Sequence, residues 1–469
     1  MYQYMARRFH CLDAINGPVR SNQMRPETAP ERDALRRDKR TEMEHQSSKL
    51  PGDPPRRRTS FLRTLGPGLI TGAADDDPSG IATYSQVGAQ FGYTLCWTIP
   101  LSYPLLVVIQ GISAGIGAVT GQGIAQNLRR HYPPWVMSFA VLLLLVANFI
   151  NIGADLAAMG AALRLLVGGS QFLHAAAFGL LCAGLEIFVT YRRYVTILKW
   201  LTLSLFAYVA VVLAVNVPWA VALRGTLIPQ FALDRDHAMA LVAVLGTTIS
   251  PYLFFWQAGE EVEELHRRHL ARLSTHPRTA GAELARIRTD TLFGMTFSHL
   301  IALFIIIATA ATLNANGTTQ IETSAQAAEA LRPIAGEVTF AVFAAGIIGT
   351  GMLAVPVLAG SAAYAVAEMF RWPEGLDRRP REAKAFYATI TAATLGSVVV
   401  SFTALDPIRA LYWTAVINGI LAVPLMAVMM MMASSPRVMG RLTAPKWMVA
   451  VGWLAVLIMA LATIGFFAL

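Results

Sequence analysis

Three consecutive carboxylates, Asp75, Asp76 and Asp77, stand in an otherwise apolar stretch and directly precede Pro78. A charged side chain at the centre of a bilayer costs at least about 2.5–3.5 kcal/mol, so three together must face water, a cation or a partner. Carboxylate oxygens are typical ligands of hard divalent cations. Asp77 is the best candidate ligand because it lies at the proline break, whereas Asp75 and Asp76 either line a vestibule or pair with distant groups.

A second interrupted stretch has Pro251 directly after Ser250, with the small or polar residues Gly246 and Thr247 just before them. Proline removes a backbone donor and clashes with the preceding turn of a helix. Carbonyls freed in this way inside a membrane must find a partner, which can be a cation. A packing kink explains either proline alone, but breaks at matching positions of two halves are typical of a transporter site.

The composition places these breaks in a membrane. The chain has 469 residues, of which 55% are hydrophobic and 14% charged, with a mean hydropathy of +0.49. A soluble globular protein carries about 25% charged residues. These values exclude a soluble enzyme, a DNA-binding domain and a disordered scaffold, and they predict an all-α integral membrane protein that crosses the bilayer several times.

The sequence contains eleven apolar stretches that predict eleven transmembrane helices. Their approximate limits are 62–92, 94–119, 134–167, 170–190, 194–216, 235–265, 289–313, 335–370, 384–402, 406–433 and 446–468. With the N-terminus inside, 19 Lys and Arg residues lie in inside loops and five lie outside. This bias predicts a cytoplasmic N-terminus and, for eleven spans, a C-terminus outside. The expected location is the inner membrane of a bacterium.

Two regions follow from the distribution of charge. Residues 1–60 hold 13 of the 38 Lys and Arg residues and predict a disordered, basic cytoplasmic tail. The alternative for this tail is contact with anionic lipid through Arg56, Arg57 and Arg58. Residues 61–469 are the predicted transmembrane transport domain. Because the other basic residues mostly occupy short loops, no nucleic-acid partner is predicted.

Three motifs together resemble the Nramp family of divalent-metal transporters. The stretch 66–80, with Asp77-Pro78-Ser79-Gly80, resembles the first span of the family, which carries Asp-Pro-Gly-Asn. The stretch 246–252 resembles the family's Met-Pro-His break, and 153–157 resembles its Asp-Leu-Ala-Glu. The resemblance covers about 61–469 and implies a LeuT-like inverted repeat of spans 1–5 and 6–10, with helices 1 and 6 broken and alternating access as the mechanism.

The resemblance also implies a metal site between the two breaks. Asp77 corresponds to the metal carboxylate, and the carbonyls of Ala74 and Thr247 to the backbone ligands. Gly80 stands in place of the family's Asn ligand and Ser250 in place of its Met ligand. Losing a soft thioether removes discrimination against hard ions, and a larger oxygen site suits partly hydrated Mg²⁺. The departures therefore point to the magnesium-transporter-like branch, with Mg²⁺ and Mn²⁺ as substrates and no cofactor.

The family's proton route is incomplete in this sequence. Asp155 remains in span 3, but Ala158 replaces Glu, and Tyr252 and Gln257 replace two histidines. Because a relay needs groups that titrate near the working pH, these changes favour transport without proton coupling. The alternative role for Asp155 is a structural hydrogen bond to an interior hydroxyl. Asn418 of span 10 either contacts the hydration shell of the ion or bonds a neighbouring helix.

Competing functions remain open at this point. An ordinary proton-coupled Mn²⁺/Fe²⁺ transporter of the Nramp type is one, and a LeuT-like carrier of amino acids or other organic solutes is another. The three carboxylates count against a carrier because they repel a substrate carboxylate. A membrane enzyme or receptor is the least favoured alternative, because the sequence shows no nucleophile–base set, P-loop, paired histidine motif or large soluble domain. We expect the protein to function as a monomer.

Overall fold

The computed structural model describes residues 67–189, 202–275, 277–376, 378–402 and 406–469. The predicted tail at 1–60 lies outside these residues, so that prediction stays open. The described residues form α-helices and short 3₁₀ turns, and they contain no strand. The prediction of an all-α chain is therefore confirmed for the part of the protein that the structure describes.

The longer helices run in chain order through the described residues. They are α1 (Pro67–Asp75), α2 (Pro78–Phe91), α3 (Thr98–Thr120), α4 (Ile124–His131), α5 (Pro134–Val167), α6 (Gln171–Phe188), α7 (Phe206–Ala214), α8 (Trp219–Leu227), α9 (Arg235–Thr248), α10 (Pro251–Arg267), α11 (Pro277–Thr312), α12 (Thr339–Phe370), α13 (Lys384–Ser397), α14 (Pro407–Ser434) and α15 (Lys446–Ala468). Short helices at Ser324–Glu329, Arg332–Ala335 and Pro436–Met439 connect them.

Nine segments within the described residues are long and apolar enough to cross a membrane. Two of the eleven predicted spans are absent from this set. The first span is divided into α1 and α2, which are each too short on their own. The fifth span begins in residues 190–201, which the structure does not describe, and only the short α7 represents it. The number eleven therefore stays a prediction.

The broken segments lie inside the protein, and the lipid-facing helices surround them. In the most apolar part of the segment 235–267, 89% of the residues are buried. The buried share of the corresponding part of α6 and of α15 is only 28%. The outer face of α15 exposes Leu457, Leu461 and Ile464, as expected of a helix against lipid. Burial thus separates the two helices that carry the breaks from those at the periphery.

Both predicted breaks are present, and each has a local cause. Helix α1 ends at Asp75, and Asp77 begins α2 in an extended conformation with Pro78 in the first turn. Aspartate before proline is a strong helix start because its side chain caps free N–H groups and proline fits the first turn. Helix α9 ends at Thr248, and α10 restarts at Pro251 after the extended Ser250.

Small residues bring the broken helices against their neighbours. Gly246 of α9 meets Gly419 of α14, and a Cβ atom at position 246 would lie 2.6 Å from the Cα atom of Gly419. Gly72 of α1 similarly meets Gly294 of α11, where a Cβ atom would lie 2.7 Å from a Cα atom. Any larger residue at these positions would force the helices apart, so backbone-to-backbone packing fixes the position of both half-helices.

Ion pairs and a backbone hydrogen bond connect α11 with α10 and with the start of α1. Arg286 of α11 contacts Glu261 of α10 at 2.8 Å and Glu283 at 2.6 Å. Asp290, also on α11, accepts a hydrogen bond of 2.8 Å from the backbone N–H of Gly68. Helix α11 therefore connects the first turn of α1 with the far end of α10.

Candidate ion-binding site

The two breaks lie side by side in the interior. The hydroxyl oxygens of Ser79 and Thr247 are 3.5 Å apart. The hydroxyl of Tyr252 donates a hydrogen bond of 3.0 Å to the carbonyl oxygen of Ala74. The structure therefore brings Ala74, Thr247 and Tyr252, which the sequence places far apart, to the same place as Asp77.

The two carboxylate oxygens of Asp77 have different surroundings. Oδ1 accepts hydrogen bonds from the N–H of Gly80 at 2.7 Å and the hydroxyl of Ser79 at 2.8 Å, which caps α2. Oδ2 accepts one long contact of 3.4 Å from Nδ2 of Asn151 in α5. Asp77 is only 2% exposed. One oxygen thus orients the side chain, and the other retains the capacity to bind a cation.

Ser250 lies in the second break, and its hydroxyl is directed back to the end of α9. Its hydroxyl is 2.9 Å from the carbonyl oxygens of both Gly246 and Thr247, to which it donates. Because the hydroxyl is the donor in both contacts, its oxygen can still bind a cation through its lone pairs. Ser250 is as enclosed as Asp77, with 2% of its surface exposed. The candidate ligands of both breaks are therefore shielded from solvent.

Asp155 lies one helical turn beyond Asn151 on α5. It is fully buried, and neither of its carboxylate oxygens has a hydrogen-bond partner among the described residues. The structural hydrogen bond that was the alternative role of Asp155 is thus not seen there. Asp155 interacts electrostatically with Asp77. Helix α5 consequently presents a second acid to the region of the first break.

Asp75 and Asp76 face α11 instead. The hydroxyl of Ser298 lies 2.6 Å from Oδ2 of Asp75 and 3.1 Å from Oδ1 of Asp76. Both residues are buried, and each retains one oxygen without a hydrogen-bond partner in the described part of the chain. The three consecutive acids therefore divide, with two contacting α11 and Asp77 contacting α5.

Gln257 and Asn418 are less directly connected with the breaks. The side-chain oxygen of Gln257 accepts a hydrogen bond from the hydroxyl of Thr71. Its amide nitrogen, Nε2, lies 3.5 Å from Oε1 of Glu261. Asn418 is buried beside Gly419, and its Nδ2 has no hydrogen-bond partner among the described residues. The structure gives no hydrogen bond between Asn418 and Asp77, so contact of Asn418 with the ion stays a prediction.

The donor set limits the kind of ion that the site suits. The described ranges contain no group of three or more His, Cys, Asp or Glu side chains that could hold a metal ion. A cation at the breaks would therefore depend on Asp77 together with carbonyl, hydroxyl, amide and water oxygens. An all-oxygen set of low charge is typical of sites for hard cations such as Mg²⁺ and Mn²⁺.

Sequence reasoning missed three residues of this region: Asn151, Ser79 and Ser298. Asn151 precedes Asp155 by four positions, so a helix through span 3 places both on one face. Ser79 follows the Asp-Pro pair and joins the cap of α2. No sequence signal marks Ser298, because its relation to Asp75 depends on how α1 packs on α11.

A second polar region lies at the far end of α10, between α10, α12 and the loop 371–383. It surrounds a cavity of about 480 Å³ that is lined by Glu263, Glu368 and Glu374, among others. Burial raises the pKa of Glu374 from 4.5 to about 9, and repulsion from Glu368 and Glu263 adds to this effect. Glu374 lies in the loop after α12, outside the membrane-spanning helices.

The raised pKa of Glu374 predicts a pH-dependent contribution to the free energy of unfolding, which the substitution Glu374→Gln removes. The folded protein binds the proton more tightly than the unfolded chain, so the contribution is complete below the ordinary pKa of 4.5 and is lost as the pH rises towards about 9. We expect the unfolding temperature of the wild-type protein in detergent to fall over this interval, and that of the variant to fall less. Glu382→Gln, at an exposed position on the same cavity, is the control; an identical pH dependence of wild type and Glu374→Gln would contradict the prediction.

Two broken helices that meet at a buried carboxylate, inside a multi-pass helical membrane protein, define the LeuT class of transporter folds. The manganese transporter of Eremococcus coleocola superimposes with a TM-score of 0.71 at 18% identity, covering 88% of each chain. MhsT in complex with L-phenylalanine gives 0.57 at 14% identity, covering 87% of this chain and 99% of MhsT. The predicted LeuT-like fold is thus confirmed.

The family follows from sequence. The family model described as natural resistance-associated macrophage protein-like, Nramp, matches residues 68–469. The divalent metal cation transporter MntH of Klebsiella pneumoniae is 28% identical over 408 residues, covering 85% of this chain and 92% of its own. MntH of Yersinia enterocolitica is 28% identical over 433 residues, covering 88% and 96%. The chain belongs to the Nramp family, whose members named here are transporters and not enzymes.

Proposed function

We propose that the protein transports divalent metal cations by alternating access and that Mg²⁺ and Mn²⁺ are its substrates. The observation that carries this proposal is the buried Asp77 at the junction of two broken helices: its Oδ1 accepts hydrogen bonds from Ser79 and Gly80, whereas its Oδ2 has only the 3.4 Å contact with Nδ2 of Asn151. The relatives named MntH are divalent metal cation transporters. The proposed metal ligands are Asp77, Ser250 and the carbonyls of Ala74 and Thr247. Gly80 belongs to the proposed site as the position where a ligand side chain is absent.

The choice of Mg²⁺ rests on the substitutions at Gly80 and Ser250. A Cβ atom at Gly80 would be in ordinary van der Waals contact with its three nearest neighbours at 3.4 Å, so the glycine is not required by packing, and it supplies no side-chain oxygen beside Asp77. Ser250 presents a hydroxyl and no sulfur. Mg²⁺ dehydrates reluctantly and keeps several waters, so a site with few protein ligands suits it. Mn²⁺ also accepts carboxylate and carbonyl ligands, so it should pass as well.

The hydrogen bonds of Tyr252 and Gln257 support transport that is not coupled to protons. Tyr252 donates to the carbonyl of Ala74, and Gln257 joins Thr71 to Glu261. Both side chains have structural roles at the positions where the family carries histidines, and neither gains or loses a proton easily near neutral pH. The proposed uncoupled mechanism requires only the gradient of the ion and the membrane potential.

Asp155 favours a second candidate, the ordinary proton-coupled Mn²⁺/Fe²⁺ transporter. This acid is fully buried near Asp77 and has no hydrogen-bond partner among the described residues. Intramembrane acids of this kind are common in proton relays. A carrier of amino acids is disfavoured because the carboxylates of Asp75, Asp76 and Asp77 would repel that of the substrate.

Uptake into proteoliposomes distinguishes these candidates. The purified protein is reconstituted, and entry of Mg²⁺ and of Mn²⁺ is measured with Ca²⁺ as competitor, at equal pH and at acid outside pH, with the potential clamped and a lumenal pH dye present. Saturable Mg²⁺ entry without acidification supports the proposal. Entry of Mn²⁺ with acidification and without Mg²⁺ entry identifies the proton-coupled type, and absence of any metal entry rejects metal transport.

The remaining proposals concern placement in the membrane. We propose that the N-terminus is cytoplasmic, that residues 61–469 form the transmembrane transport domain, and that the monomer is functional in a bacterial inner membrane. The bias of Lys and Arg towards one set of loops supports the orientation. Labelling of single cysteines in the loops of intact cells tests it, since only outside positions should react with an impermeant reagent.

A further inference from the structure

Asn151 lies in the middle of α5 and is the residue of that helix that contacts Asp77. Its Nδ2 is 3.4 Å from Oδ2 of Asp77, and the side chain is fully buried. Its Oδ1 has no hydrogen-bond partner among the described residues. A buried amide oxygen without a partner is rare and unfavourable, so this atom requires an explanation.

A second asparagine on the same helix shows what a structural role looks like. Nδ2 of Asn148 donates to the carbonyl oxygen of Leu358 at 2.8 Å and to the hydroxyl of Ser361 at 2.7 Å. These bonds connect α5 with α12, and Asn148 is as buried as Asn151. Asn151 makes no comparable connection among the described residues, because its one hydrogen bond is directed to the carboxylate oxygen that does not cap α2.

We propose that Asn151 is a ligand of the transported cation, an inference that rests on the divalent-cation transport proposed above. Its amide oxygen supplies the neutral hard oxygen that a side chain at position 80 would otherwise provide beside Asp77. The oxygen and nitrogen of an amide exchange places by rotation about one bond. With Oδ1 directed to Oδ2 of Asp77, a cation between the two oxygens would satisfy both.

This assignment places ligands on two different parts of the protein. Asp77 belongs to the start of α2, which the Ser79–Thr247 contact places next to α9. Asn151 belongs to α5, which packs on α12. An ion held between α2 and α5 would lose one set of ligands when these helices separate. Asn151 therefore affects both the affinity of the site and the choice of ion, because its amide oxygen favours hard cations.

The test compares Asn151→Ala, Asn151→Asp and the control Asn148→Ala in the uptake assay and in direct binding of Mn²⁺ to purified protein. If Asn151 is a ligand, Asn151→Ala should raise the KM for Mg²⁺ and Mn²⁺ about tenfold and lower the preference for Mg²⁺ over Cd²⁺. Asn151→Asp keeps an oxygen at the same place and should show a KM at or below that of the wild type. Asn148→Ala should lower the unfolding temperature without changing the ion ranking.

A double variant makes the assignment sharper. A Cβ atom at position 80 would be in ordinary van der Waals contact with its nearest neighbours at 3.4 Å, so a side chain can be attached there without a clash at its first atom. We expect Gly80→Asn in the Asn151→Ala background to restore the KM to within about threefold of the wild type, since it returns one amide oxygen to the site.

The outcomes separate this inference from the proposed function. If the wild-type protein transports no divalent cation, the proposed function fails. If it transports them, and Asn151→Ala leaves KM and ion ranking unchanged, Asn151 is not a ligand. If Asn151→Asp raises the KM as much as Asn151→Ala, Asn151 acts only as a donor to Asp77, which also overturns the inference.

Discussion

Asp77→Asn is expected to give a folded protein whose uptake of Mg²⁺ and Mn²⁺ is below about one tenth of the wild-type rate. Asparagine caps a helix as well as aspartate does, so the hydrogen bond to Gly80 and the start of α2 should persist. The variant lacks the negative charge, and a divalent cation in a buried site depends strongly on it. A tenfold loss corresponds to only about 1.4 kcal/mol, which is a modest value for a charged ligand.

The control for this variant is Asp406→Asn. Asp406 also precedes a proline and caps a helix, with its Oδ1 3.0 Å from the N–H of Ile408 at the start of α14. Asp406 has the same local sequence pattern and makes no hydrogen bond to either break among the described residues, so uptake by Asp406→Asn should equal that of the wild type. Asp77→Ala should additionally lose about 1 kcal/mol of stability with the cap. Uptake by Asp77→Asn above half the wild-type rate would refute the assignment of Asp77 as metal carboxylate.

Ser250→Met is expected to change the preference of the transporter from hard to softer ions. The change replaces the hydroxyl that contacts the carbonyls of Gly246 and Thr247 with a thioether. Sulfur binds Mn²⁺ and Cd²⁺ better than Mg²⁺. We expect Mg²⁺ uptake to fall at least about tenfold, with Mn²⁺ and Cd²⁺ uptake remaining within about threefold of the wild type.

Ser250→Ala separates the gain of sulfur from the loss of the hydroxyl. It removes the two hydrogen bonds without adding a soft ligand, so uptake of Mg²⁺ and Mn²⁺ should fall together and their ratio should stay close to that of the wild type. Competition between the two ions in the same vesicles measures this ratio directly. If Ser250→Met and Ser250→Ala have the same ion ratio, residue 250 does not contact the ion.

The breaks were predictable because their causes are local. An Asp-Pro pair in an apolar stretch provides both the cap and the first turn of a new helix, so the end of α1 and the start of α2 follow from a few adjacent residues. The same holds for Ser250 and Pro251 at the start of α10. The resemblance to Nramp depended on these motifs, and the family model confirms it.

The contacts of the site were less predictable because they join distant parts of the chain. Asp75, Asp76 and Asp77 are adjacent in sequence, yet the end of α1 directs the first two towards Ser298 and the start of α2 directs the third towards Asn151. Gln257 lies on the same helix as Tyr252, but it contacts Thr71 instead of the break. Such directions depend on the packing of helix pairs, which apolar patterns alone do not specify.

The unequal use of the two oxygens of Asp77 has a kinetic consequence. The bonds from Ser79 and Gly80 hold the carboxylate in one rotamer, so an arriving ion does not have to order a mobile side chain. With the protein group preorganised, the slow step of binding becomes the removal of water from the ion itself. Because Mg²⁺ releases its water reluctantly, Mg²⁺ should enter the site more slowly than Mn²⁺ and be transported with a lower kcat/KM.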